Sequence, residues 1–104
     1  MELIILKEVD TFILTLEKPT RSKWLRQLML LVQYGQQLGM PHVKQISKDL
    51  RELRVRGVQE IRAFFVFQDN RALIVHAFIK KTQKTPQKEI ATAQKRILHL
   101  LTNT

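Results

Sequence analysis

The sequence predicts an α+β domain: an N-terminal helical hairpin packed on a small, mainly antiparallel sheet and closed by a C-terminal helix, in the order β-α-α-β-β-β-α. Three observations predict it. Apolar residues recur at helical spacing through much of residues 7–38. Two aromatic and β-branched runs, 60–67 (EIRAFFVF) and 72–79 (ALIVHAFI), are joined by Gln68-Asp69-Asn70-Arg71, a hairpin signal. The tail then returns to helical spacing behind Thr85-Pro86.

Each element has its own local reason. Residues 2–6 (ELIIL) form a short apolar run suited to an edge strand. Over 7–17, Val9, Phe12, Ile13 and Leu16 make a short amphipathic helix, ended by Lys18-Pro19-Thr20 because proline cannot donate to the preceding turn. A second helix runs from about Arg21 to Leu38. It sets Trp24, Leu25, Leu28, Leu31, Val32 and Gly35 on one face, and Gly39-Met40-Pro41 stops it. A short strand is expected at 43–47. Residues 50–56 alternate, with Arg51, Leu53 and Val55 on one side and Glu52, Arg54 and Arg56 on the other. The two long runs are apolar on both faces, as central strands covered by helices on one side would be. Arg62 shares its face with Phe64 and Val66, and His76 shares its face with Ile74 and Phe78. In the tail, Thr85 is the expected N-cap and Pro86 the first helical residue. Ile90, Ala93, Ile97 and Leu101 recur at helical spacing, and the helix ends around Leu101, before Thr102-Asn103-Thr104.

At 104 residues there is room for one domain, residues 1–104, with no second core. A hydrophobic content of 44% with 26% charged residues is a globular balance. The chain has no cysteine, which excludes disulfide scaffolds, thiolate zinc sites and cysteine nucleophiles. No segment is long and apolar enough to span a bilayer, and the start lacks the pattern of a signal peptide, so a cytoplasmic protein with no membrane partner is expected.

Charge is the most informative quantity. The formal net charge is +9. Thirteen of the eighteen Lys and Arg residues fall in 41–104, against only five of the nine acids. Such an excess attracts a polyanion through phosphate neutralisation and counterion release. The alternatives are an acidic protein partner or a merely solubilising surface.

Much catalytic chemistry is missing. Three scattered glycines cannot form a phosphate loop, and His42, His76 and His99 are too far apart in sequence to suggest a metal site. No cofactor is implied. What remains is cations on rigid elements. Arg54 and Arg62 stand on neighbouring strands. An arginine on an apolar strand face costs energy unless its head reaches water, a carboxylate such as Glu52 or Glu60, or a ligand. The Lys80-Lys81-Thr82-Gln83-Lys84 loop leaves the last strand directly, where it can aim ammonium groups toward the same place.

The segments ELRVRG, IRAFFVF and IVHAFIKKTQKTPQKEIATAQKRI resemble the phage-derived branch of the RelE/HigB toxins of type II toxin–antitoxin modules. EVDTFILTL and YGQQLGMPHVKQI are similar to the same branch's first helix and its G-x-x-L-G-x-P-x-x-K connection. The resemblance covers roughly residues 2–101, and FIKKTQKTPQKEI is its most specific piece. It implies a RelE/ParE-like fold and a metal-independent endoribonuclease, an mRNA interferase that enters the A site of the 70S ribosome and cleaves the mRNA there. It also implies a cognate helix-turn-helix, HigA-like antitoxin. By the family pattern Arg62 clamps the scissile phosphate, Arg54 assists, and Lys80 and Lys84 stabilise charge on the reacting oxygens. Lys81, Arg51, Arg56, Lys48 and Lys88 are the expected RNA-backbone contacts. Arg51, Ile61 and Phe65 stand where the branch often has Tyr, so the proton-transfer group stays open between His76 and a lysine of depressed pKa. Two other readings remain: a catalytically inactive RNA- or partner-binding module, and a gyrase-directed, ParE-like toxin.

Overall fold

Residues 1–102, described in a computed structural model, run β1 (Glu2–Ile5), α1 (Lys7–Leu14), α2 (Lys18–Tyr34), a 3₁₀ turn (Gly35–Gln37), β2 (Val43–Gln45), β3 (Arg51–Val55), β4 (Ile61–Gln68), β5 (Arg71–Ile79) and α3 (Gln87–Thr102). Asn103 and Thr104, expected in the polar end of the tail, lie outside the described residues. The five strands form one sheet in the order β1-β5-β4-β3-β2. Only the β1–β5 pair is parallel. The expected α+β order is therefore present.

The long hairpin fixes the sheet's register. Asp69 and Asn70 both take left-handed φ, 53° and 61°, as a two-residue type I′ turn requires. From that turn, β4 pairs with β5 through Phe65↔Ile74 and then Phe64↔His76, leaving Val75 as an extra residue on β5. This is a β-bulge, and it changes which side chains face where. Ile74 packs with the core under α1 and α2, whereas Val75 joins the opposite cluster with Phe64 and Phe78. His76 follows Val75 onto that second face, where its ring stacks on Phe78 at 5.7 Å. The expectation that His76 shares a face with Ile74 is thus corrected. Strict alternation cannot anticipate a bulge.

Both faces of the sheet are covered, not one. Val9, Ile13, Leu16, Trp24, Leu28 and Leu31 pack on Leu53, Val55, Ile61, Phe65 and Ile74. Ala93 of α3, with Ile90, Ile97 and Leu100 around it, packs on Phe64, Val66, Leu73, Val75 and Phe78. Fully burying each large apolar side chain contributes about 1.5–3 kcal/mol.

The helices differ from expectation in their ends and faces. Pro19 lies inside the first turn of α2, where its missing N–H costs nothing, so it starts α2 as well as separating it from α1. The buried stripe of α2 is Thr20, Trp24, Leu28 and Leu31. Leu25 and Val32 sit on its margin and are 59% and 41% exposed. The helix stops at Tyr34, four residues early, because Gly35 adopts φ +55 and its N–H bonds to the Leu31 carbonyl. Thr85 does not cap α3. The Pro86 carbonyl accepts from the Glu89 and Ile90 amides, and the Thr85 hydroxyl is engaged elsewhere.

Candidate functional site

The site begins with a pairing that needs a remedy. In the β3–β4 register Arg54 lies directly opposite Arg62, and like charges in that relation repel. The remedy is Glu52, one pleat repeat before Arg54 on the same face. Its buried carboxylate lies 3.7 Å from Arg62 Nε and 4.0 Å from Arg54 Nε through the same oxygen, Oε1. Its other oxygen accepts from the Thr85 hydroxyl at 3.2 Å. Arg62, itself only 4% exposed, also contacts Glu60 Oε2 at 3.3 Å and donates to the Ile61 carbonyl at 3.0 Å. Both partners expected for Arg62 are therefore present.

These contacts do not use all the hydrogen-bonding capacity they bring together. Glu52 Oε1, Arg54 Nε and Arg62 Nε are buried, and none has a hydrogen-bond partner. Buried polar groups left in this state are uncommon in folded proteins.

An open hollow lies over this cluster, lined by Arg54, Arg56, Glu60, Arg62, Lys80, Lys81, Thr82 and Gln83. Lys80 enters it from the end of β5, where its amide bonds to the Glu60 carbonyl at 2.7 Å. Burial lowers the Lys80 pKa from its ordinary value; Glu52 opposes that shift, while the charges of Arg62, Arg54 and Lys44 add to it. The Arg54 pKa is lowered in the same way, by burial first and then by Arg62 and Arg56. The hollow thus holds fixed guanidinium donors beside an amine that gives up its proton more readily than a solvated lysine.

The expected site residues separate into those this hollow gathers and those it does not. Arg54, Arg62, Lys80, Lys81 and Arg56 line it together. Lys84 is exposed further along the same loop, and Lys88 is exposed at the start of α3. Lys48 and Arg51 line a different hollow with Phe67 and Leu101. Arg51 faces the α1–α2 side, its guanidinium 4.8 Å from the Phe67 ring centroid. His76 is not among the lining residues. Arg96 Nη1, which can only donate, lies 3.1 Å from its Nδ1, so Nε2 carries the hydrogen and faces Glu89 Oε1 at 3.0 Å. Both ring nitrogens are therefore engaged with α3.

Alternation already placed Glu52 beside Arg54, but its role as the shared counter-ion of two arginines needed the register. Thr85 was legible only as a cap. Among the described residues no group of three or more His, Asp or Glu side chains is placed to hold a metal ion. No helix among them is long and apolar enough to cross a membrane.

Three helices and a five-strand, mostly antiparallel sheet, with a mainly cationic hollow on one face, make this a small α+β protein. A family comparison narrows the class. The chain belongs to the family described as Phage derived protein Gp49-like (DUF891), whose model matches residues 11–98; the family is associated with the toxins of toxin–antitoxin modules. No curated protein matches the chain.

Proposed function

We propose that this chain is the toxin of a type II toxin–antitoxin system, of the RelE/HigB kind, and that it inhibits translation by cleaving mRNA in the ribosomal A site. The observation that carries the reading is the convergence of Arg54 of β3, Arg62 of β4 and Lys80, just past the end of β5, on one open hollow. A planar guanidinium matches two phosphate oxygens at once.

In this reading the RNA's 2′-OH attacks the adjacent phosphorus. Lys80, in its neutral form, takes the 2′ proton as the new O–P bond forms. Arg62 and Arg54 hold the charge that accumulates on the non-bridging oxygens. The P–O5′ bond breaks, and the leaving oxygen receives a proton from the lysinium or from water. The products are a 2′,3′-cyclic phosphate and a 5′-OH. The partners are the 70S ribosome with its mRNA and a helix-turn-helix antitoxin, and the compartment is the cytoplasm.

The test is inducible expression with primer extension on translated messages. Growth arrest with cuts inside open reading frames is expected from the wild-type chain. Arg62→Gln is expected to lose cleavage by about 10²–10³-fold. Arrest with intact messages would remove the assignment. A second reading, an RNA-gripping module without cleavage, is favoured by one observation: Tyr34, the chain's single tyrosine, lies on α2 and brings no phenol to the hollow. It predicts salt-dependent RNA binding without product.

A further inference from the structure

A second hollow adjoins the first and has no assigned role. Lys23, Arg26 and Gln27 of α2 line it with His42, and Arg54 and Arg56 line both hollows. It is more uniformly basic than the first. None of its lining residues is acidic, whereas Glu60 lines the other. Among the described residues Lys23, Arg26 and Arg56 form no ion pair. Three uncompensated cations on one concave surface repel one another, and an anion relieves that repulsion.

The polar framework is arranged in the same sense. Gln27 Nε2 donates to the Arg54 carbonyl at 2.8 Å, which fixes the amide's orientation. The same nitrogen lies 3.2 Å from His42 Nδ1, so that ring atom accepts and Nε2 carries the hydrogen. His42 is thereby set as a donor at its second nitrogen. Gly57 leaves room for the Lys23 ammonium: a Cβ there would stand 2.6 Å from Nζ. Lys23, Arg26, His42, Arg54 and Arg56 all bring N–H donors to this surface, whereas the Gln27 amide hydrogens are taken up by the Arg54 carbonyl and His42 Nδ1. Arg54 lines both hollows, while its buried Nε faces Glu52 Oε1 at 4.0 Å.

We infer that Lys23, Arg26 and His42 form a second phosphate subsite, which takes a backbone phosphate flanking the one bound at Arg62, so that single-stranded RNA is tracked from the sheet face around Arg54 to α2. This rests on the RNA reading above and extends it to a helix whose charges sequence reading left unassigned.

The experiment is fluorescence anisotropy of a labelled single-stranded RNA against the full chain across a salt series, alongside a titration with inorganic phosphate followed by NMR. Each phosphate contact on a single strand contributes about 0.7 to the slope of log K against log salt. The double variant Lys23→Gln, Arg26→Gln is expected to lower the slope by roughly 1.4 for every RNA sequence tried, by the same relation. Lys23→Arg with Arg26→Lys is expected to restore it, and thermal unfolding of both variants is expected to match wild type. A wild-type chain that binds RNA with a slope the double variant leaves unchanged overturns the subsite and spares the nuclease reading. A wild-type chain with no salt-dependent RNA binding overturns the subsite, while the nuclease reading stands or falls on ribosome-bound message. Saturable binding of inorganic phosphate at Arg26 and His42, with an unchanged RNA slope, makes this a small-anion pocket and overturns the RNA track.

Discussion

Glu52 has two jobs that pull in different directions. Its carboxylate keeps Arg54 and Arg62 from separating, yet a carboxylate in the proposed phosphate site would repel the ligand. Burial on the strand side of the arginines reconciles them, because the charge compensates the guanidinium groups without lining the hollow. Breaking a buried ion cluster by removing one partner typically costs about 3–5 kcal/mol. Glu52→Gln is therefore expected to destabilise the chain by about that much in urea unfolding; a change near zero would mean the arginines do not depend on it. Lys80 supplies the opposite case. Its folded-state pKa is lowered, by burial first, from an ordinary 10.5, so the charged form is disfavoured in the folded chain. Between the lowered value and 10.5 the unfolded state binds more protons, and stability rises with pH across that window. Below it the full cost of the charge is present. Lys80→Met is accordingly expected to raise the melting temperature at neutral pH and to abolish cleavage, a trade of stability for function. Equal melting temperatures for the two proteins would show that the lysine's charge carries no cost.

Among the elements, α3 has the most to tell. It is held by apolar packing around Ala93 and by His76, which stands between Glu89 and Arg96. His76→Phe is expected to lower stability by about 1–3 kcal/mol by leaving those two groups unmatched, while cleavage at saturating substrate persists. Loss of cleavage without loss of stability would return His76 to the chemistry. The order of elements, the central place of β4 and β5 and the face of Arg62 were readable because strand alternation and turn chemistry are local. The placement of His76 was not, because the extra residue at Val75 is a property of the β4–β5 pairing. Likewise Leu25 and Val32 look like core in a helical wheel, and only the docking of Trp24 and Leu28 on the sheet shows which way α2 is rotated. Gly35 is buried, as its place on the helical stripe suggests, and it also stops the helix through its positive φ. The hairpin turn offers a clean check of local backbone preference. Asn70→Gly is expected to be tolerated, whereas Asn70→Val, forced to a left-handed φ, is expected to cost roughly 1–2 kcal/mol in thermal unfolding.

At the scale of the molecule, the sheet has one face filled by α1 and α2 and the other filled by α3 only in part. The end that α3 leaves open holds Arg54, Arg62 and Lys80. The charge excess of the second half of the sequence pointed to this, but composition could not say which cations share a surface. Lys48 and Arg51 share that excess yet line a different hollow, next to Phe67. The central claim is that the open end cleaves ribosome-bound mRNA. It is tested most directly by adding the purified chain, wild type or Arg62→Gln, to ribosomes stalled on a defined message and mapping the new ends. Wild-type protein is expected to cut within the A-site codon and leave a 5′-OH and a 2′,3′-cyclic phosphate, with the variant slower by about 10²-fold or more. An uncut message with wild-type protein, or equal cutting by both proteins, would contradict it.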